Sequence, residues 1–268
     1  MPVRLISLDI DGTLYDDRKE ILPRTLAALR RAQAQGITLL LASGRPAAGM
    51  ARAAAALAGG QERLLLISYN GGRISDAATG AVLRESPIPL DLARRLLRHA
   101  GDFPVATMVD DGRTVYASDR AGYRVEQEAV YNGLGLEIVP DLADRLAFAP
   151  MKVLMSAPPE VIAAVRGPIA APFAGEIACF PSAPFYLDAC RAGVSKGSAL
   201  REVCALLGVS PAEAMAFGDS PNDMSMLSLA GHGVAMGNAS AEVKAVAREV
   251  TLSNNEDGIA LVLERCCG

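Results

Sequence analysis

Apolar residues fall along this chain in two rhythms. The short unbroken runs Leu5-Ile6-Ser7-Leu8, residues 37–42 and residues 64–68 read as strands covered on both faces of a sheet, because such strands lose the polar alternation of a half-exposed one. Between the first two runs, residues 23–35 carry Leu26 and Leu29 with arginines between them and Gly36 behind, the pattern of an amphipathic helix with a glycine stop. An alanine-rich stretch predicts a second helix ending near residue 58. Strand, helix, strand, helix, strand implies a parallel sheet with right-handed crossovers. A hairpin is expected at Arg73-Ile74 and Ala81-Val82-Leu83, after which Pro87 and Pro89 break the pattern.

From residue 86 to 188 the segments shorten. Helices are predicted near residues 90–100, 123–131 and 159–165, and strands near 105–109, 114–116, 151–155, 177–180 and 185–187, an α+β insertion expected to hold an antiparallel sheet. The earlier rhythm then resumes. Ser195 is a good N-cap for a helix to Leu207 with Gly208 as its stop, and Ser210-Pro211-Ala212-Glu213 fits a capping box. Strands follow at 215–217, 233–236 and 250–252, with helices at 223–230, 241–246 and 258–265. The expected fold class is α/β: a Rossmann-like doubly wound parallel core from residues 1–85 and 189–268, interrupted by an inserted α+β domain over 86–188.

Composition narrows the function. At 268 residues the chain can bury a core without disulfide or metal staples. Five cysteines without C-x-x-C spacing speak against structural zinc and a disulfide framework. A formal charge of −4 with no basic stripe speaks against a nucleic-acid binder. Aliphatic runs such as Leu64-Leu65-Leu66-Ile67 are far shorter than the ~20 residues of a membrane span. The chain enters a strand at once, so no signal peptide and a cytoplasmic location are expected. Two histidines and the lack of G-x-S-x-G leave no basis for a Ser-His-Asp hydrolase.

The candidate chemistry gathers where strands meet loops, the place where open α/β sheets bind ligands. Asp9 and Asp11 end the first run, and two carboxylates that close call for a cation between them or a proton on one; an ordinary Asp-Gly turn is the plainer alternative. Ser43-Gly44 ends the second strand, where a hydroxyl and a backbone N–H can hold a phosphate oxygen or simply cap a helix. Lys196 opens a helix whose N-terminus would share an anion with its ammonium. The chain has only four lysines against 22 arginines, so a lysine here is informative. Asp219 and Asp223 sit in Gly218-Asp219-Ser220-Pro221-Asn222-Asp223 after a strand, a set of hard oxygen donors suited to Mg²⁺, although Asp223 alone could be a helix cap.

D-x-D-G-T at 9, S-G-R at 43, S-K-G at 195 and G-D-x-x-N-D at 218, in that order, resemble the motifs of the haloacid dehalogenase superfamily, in its Cof-type branch with an α/β cap. Asn70-Gly71, residues 234–239 and residues 255–260 resemble the same branch. The resemblance implies a phosphatase in which Asp9 is the nucleophile and Asp11 the general acid and base. It implies that Ser43, Gly44 and Lys196 neutralise the transferring phosphoryl group beside Ile10, and that Asp223 orients Lys196 or a metal-bound water. Mg²⁺ would be held by the Asp9 carboxylate, the Asp11 backbone carbonyl and the Asp219 carboxylate. Arg45, Asn70 and Asn222 are the expected substrate contacts, with Asp110, Asp111 and Arg113 as further candidates in the cap. The expected partner is a small phosphorylated metabolite such as a sugar phosphate. A phosphomutase, a non-enzymatic phospho-acceptor and a silent binding protein remain open alternatives.

Overall fold

The computed structural model describes residues 3–58 and 63–266. Its strands are β1 (Leu5–Leu8), β2 (Thr38–Ala42), β3 (Leu64–Ser68), β4 (Arg73–Asp76), β5 (Val82–Glu85), β6 (Ala106–Asp110), β7 (Thr114–Ala117), β8 (Gly135–Ile138), β9 (Val153–Ser156), β10 (Ile177–Ala183), β11 (Tyr186–Arg191), β12 (Ala214–Gly218), β13 (His232–Ala235) and β14 (Glu249–Val250). They form an eight-stranded sheet, β14-β13-β12-β1-β2-β3-β4-β5, and a six-stranded sheet, β10-β11-β9-β6-β7-β8. The chain divides into two compact units, one of Met1–Ser43, Met50–Arg84 and Ser195–Gly268, the other of Gly44–Gly49 and Glu85–Val194.

In the first unit β1 is central and pairs in parallel with β2 on one side and β12 on the other. The chain builds outward from β1 through β2 and β3, then returns on the opposite side through β12, β13 and β14, so the winding direction reverses at β1. That reversal opens a crevice at the carboxyl ends of β1 and β12. Every residue of β1, β3 and β12 is buried, which accounts for their uninterrupted apolar sequences. Leu5, Leu40, Leu65 and Ala216 pack on Leu200 and Val203 of the helix Lys196–Leu207. That helix starts as its sequence requires: Ser195 Oγ accepts the Ser198 N–H at 3.0 Å, and Gly208 ends it in a left-handed conformation.

The second unit corrects one expectation. Its sheet is mixed, because β7 and β8 pair in parallel. The strand Gly135–Ile138 gave no sequence signal: it opens on glycine and has only half-buried or exposed positions. Its chain direction follows from the helix Val125–Asn132, which carries the chain back across the sheet between the two strands. Val125 and Ala129 of that helix pack with Met108, Val115 and Leu154, while Leu92, Leu96, Val153, Met155, Ile162 and Leu187 meet in a separate, larger apolar cluster. Among the described residues no helix is long and apolar enough to cross a membrane.

Candidate active site

The first unit places a set of charged side chains at the carboxyl ends of β1 and β12. Asp9 directly follows β1, and its backbone N–H donates to the Phe217 carbonyl at 3.1 Å, extending the β1–β12 ladder by one rung. The chain then turns sharply, with Leu14 N–H reaching the Asp9 carbonyl and Tyr15 N–H the Ile10 carbonyl. Gly12 makes that turn possible. Its φ is +83°, and a Cβ there would lie 2.5 Å from Asp219 Oδ2. The turn therefore presses its backbone against the neighbouring strand's carboxylate.

Lys196 lies completely buried beneath these carboxylates. Its Nζ donates to Asp9 Oδ1 at 2.5 Å and to Asp223 Oδ1 at 2.6 Å. The other oxygen of Asp223 accepts the backbone N–H groups of Asp219 and Ser220, each at 3.0 Å. Asp223 is thus committed to Lys196 and to the loop after β12. Asp219 accepts from Thr13 Oγ1 at 2.8 Å and from Ser220 Oγ at 3.1 Å, two neutral donors that orient it without cancelling its charge.

Burial, and then the Asp223 and Asp219 charges, push the Asp9 carboxyl well above the usual carboxylate range, against the pull of Lys196. Burial followed by Asp223 raises Asp219 as well. Burial opposes the charge on Lys196 too, but Asp223 and Asp9 outweigh it and hold the ammonium's pKa above the ordinary lysine value. One ammonium thus pairs with two of the three carboxylates, Asp9 and Asp223, and leaves Asp219 beside them without a cationic partner of its own in the trio.

Carboxylate oxygens of Asp9, Asp219 and Asp223 lie within 4.8 Å of one another. Since Asp223 is already engaged, Asp9 and Asp219 are the pair left to face a cation. Clustered hard oxygen donors fit a divalent ion such as Mg²⁺, which would favour the ionised form of both groups.

The other expected site residues divide into separate groups. The Asp11 carboxylate pairs with Lys19 at 2.9 Å. The Ile10 side chain is fully buried, so only its backbone can face a ligand. Ser43 is tied by its backbone to β3 and the following turn, donating to the Ile67 carbonyl and accepting from Asn70 N–H, both at 2.9 Å. Asn70, left-handed at φ 56°, accepts through its side-chain oxygen from Asn222 Nδ2 at 2.9 Å. Gly44 and Arg45 group with the second unit, where the Arg45 guanidinium bonds the Gly49 carbonyl and the Tyr131 hydroxyl. In that unit Asp111 accepts the backbone N–H groups of Arg113 and Thr114, an ordinary turn, while Asp110 is buried.

Three contributors had no role assigned from sequence. Thr13 steadies Asp219, Asn238 Nδ2 holds the Gly12 carbonyl at 2.8 Å, and Lys19 pairs with Asp11. The scarcity of lysine was the available signal for Lys19. Thr13 and Asn238 act through partners more than 200 positions away, a separation no local pattern reports.

The chain as a whole has known relatives. A family model described as haloacid dehalogenase-like hydrolase matches residues 6–263. The HMP-PP phosphatase of Serratia proteamaculans is 32% identical over 247 residues, covering 91% of this chain and 87% of that protein. The pyridoxal phosphate phosphatase YbhA of Escherichia coli is 30% identical over 273 residues, covering 97% of each. The crystal structure of a haloacid dehalogenase-like hydrolase from Bacteroides thetaiotaomicron matches with a TM-score of 0.89 at 33% identity, covering 98% of this chain and 99% of that one. With the matched region running almost from end to end, this chain belongs to the haloacid dehalogenase-like hydrolases.

Proposed function

We propose that this protein is a Mg²⁺-dependent phosphatase that hydrolyses small phosphomonoesters through an aspartyl-phosphate on Asp9. The observation that carries the reading is the Asp9 carboxylate at the end of β1, clamped by the buried Lys196 and set beside Asp219. Relatives named as phosphatases of HMP-PP and of pyridoxal phosphate support a small phosphorylated metabolite as the substrate.

The chemistry runs in two displacements. An Asp9 carboxylate oxygen attacks phosphorus and the bond to the ester oxygen breaks, while Asp11 passes a proton to the departing alcohol. Asp11 then takes a proton from a water molecule, whose oxygen attacks phosphorus as the bond to Asp9 breaks, releasing phosphate and restoring both aspartates. Lys196 fixes the direction of the Asp9 carboxylate and offsets charge on the phosphoryl oxygens, and Asp223 holds Lys196 in place. Ser43 and Gly44 supply a hydroxyl and a backbone N–H to the phosphoryl group, with Ile10 offering its backbone and Asn222 its amide. Mg²⁺, held by Asp9, Asp219 and the Asp11 carbonyl, would supply Lewis-acid stabilisation of the transferring group. Residues 86–188 act as the cap that chooses among esters, together with Arg45 and Asn70.

The test is phosphate release from a panel of small phosphomonoesters, with Mg²⁺ or with chelator, for wild type and Asp9→Asn. Release that needs Mg²⁺ and disappears in a well-folded Asp9→Asn variant is expected. More than a trace of turnover in that variant removes Asp9 as the nucleophile. An isomerised sugar phosphate in place of free phosphate would make the enzyme a mutase.

A further inference from the structure

The turn after β1 is held by a segment more than 200 positions away. Between β13 and the helix Ala241–Val246 the chain is tied to its neighbours: Met236 N–H donates to the Gly218 carbonyl at 3.0 Å, Gly237 N–H to the Leu252 carbonyl at 2.9 Å, and Lys244 Nζ to the Gly237 carbonyl at 2.6 Å. Asn238 extends from this anchored connection with both ends of its amide engaged. Its Nδ2 donates to the Gly12 carbonyl at 2.8 Å, and its Oδ1 accepts the Asn254 N–H at 3.1 Å. Asn254 is buried, and its own Nδ2 donates to the Tyr15 carbonyl at 3.0 Å. Two asparagines thus grip the turn, one at Gly12 and one at Tyr15.

Asn238 is exposed, where water could serve its amide as well, so its bonds add little stability and matter chiefly for direction. The peptide it holds is the one that meets Asp219. A Cβ on Gly12 would lie 2.5 Å from Asp219 Oδ2, and Thr13, the next residue and almost wholly buried, donates its hydroxyl to Asp219 Oδ1 at 2.8 Å. Gly12 is left-handed at φ +83° with no Cβ to restrict rotation, so the bond from Asn238 fixes a peptide plane that the residue itself leaves free. If that plane turns, Thr13 Oγ1 loses its line to Asp219. Mg²⁺ demands near-ideal ligand geometry and is sensitive to such a shift.

We propose that Asn238 is a positioning residue for the divalent-ion site: it fixes the Gly12–Thr13 peptide and, through Thr13, sets the carboxylate of Asp219. The proposal rests on the ion site of the reading above. The test is binding of Mn²⁺, a hard divalent ion that suits the same oxygen donors, followed without ester by loss of the free-ion electron paramagnetic resonance signal. Wild type is expected to bind, and Asn238→Ala to raise Kd about three- to tenfold, the scale of one hydrogen bond. In Thr13→Val, which keeps the shape of the side chain and removes the donor, adding Asn238→Ala should change Kd by less than about twofold, because the route to Asp219 is already cut. Ser240→Ala loosens the cap of the following helix without touching Gly12, and should leave Kd within about twofold, the usual scatter for independent sites. Phosphate release from the best ester of the panel above should recover in Asn238→Ala at saturating Mg²⁺. An unchanged Kd in Asn238→Ala, an equal loss in Ser240→Ala, an undiminished effect on top of Thr13→Val, or a rate that stays low at saturating Mg²⁺ overturns the proposal. If wild type releases phosphate from no ester, the phosphatase reading fails, and Mn²⁺ binding still decides the role of Asn238. If wild type binds no Mn²⁺, the proposal falls whatever the rate of phosphate release.

Discussion

Replacing Lys196 by methionine isolates the energetics of the candidate active site. Lys196 is 0% exposed and stands between Asp9, 6% exposed, and Asp223, 0% exposed. Methionine approximates its volume, so little of the loss comes from a cavity. What is lost is the ammonium that pairs with two buried carboxylates, at 2.5 and 2.6 Å. Removing one partner of a buried ion pair costs about 3–5 kcal/mol, because the charge left behind has neither water nor a counter-ion. At about 2–4 °C per kcal/mol for a chain of this size class, the melting temperature should fall by roughly 6–20 °C. Thermal unfolding should be followed in chelator, so that no divalent ion replaces the ammonium. Amide exchange in β1 and β12 should report the first unit on its own. Adding Asp223→Asn to Lys196→Met should recover about 1 kcal/mol or more, since one stranded charge is removed and an acceptor for the loop remains. A single variant within about 1 kcal/mol of wild type, well under the expected cost, would falsify the view that Lys196 neutralises the pair. So would a double variant less stable than the single one.

Other outcomes follow from the same geometry. Gly12→Ala forces a left-handed alanine, costing about 1–2 kcal/mol, and drives a methyl group into Asp219; the Mg²⁺ concentration for half-maximal phosphate release should rise, and an unchanged Mg²⁺ dependence would show that Asp219 is not a ligand. Mg²⁺ should raise the melting temperature of wild type but not of Asp219→Asn, and an equal shift in both places the ion elsewhere. Ser195→Ala should destabilise the helix it caps by about 1 kcal/mol in urea unfolding, whereas Ser195→Asp should not, since aspartate caps as well. The Asp76 carboxyl lies below its usual range because it accepts the Thr79 N–H and bonds Arg63, so the stability it adds is complete above the unfolded value near pH ~4 and fades as pH falls through the folded value. Asp76→Asn should therefore be less stable than wild type at pH 7 and converge on it in strong acid, and a constant gap across that range would refute the assignment.

What the sequence determined by itself was whatever depends on short-range periodicity and on chain ends. The buried runs at β1, β2, β3 and β12 could be read because burial on both faces leaves no polar alternation, and the helix after Ser195 because its caps lie within three residues of one another. Asp9, Ser43, Lys196 and Asp219 could be picked out because each stands where a strand meets a loop or a helix opens. Only the tertiary structure decided which charges meet. Lys196 and Asp9 are 187 positions apart, and although the resemblance implied that Asp223 orients Lys196 or a metal-bound water, no local pattern showed that a single buried ammonium would serve both Asp9 and Asp223. The strand β8 escaped because its burial and its parallel pairing depend on β7 and on the helix between them. The burial of Lys152 and Asp188 had no counterpart in the sequence reading, since a lone charge gives no sign of burial until the fold encloses it. Apolar burial is additive along the chain and leaves its period in the sequence, whereas the pairing of buried charges depends on distances that exist only once the sheets are assembled.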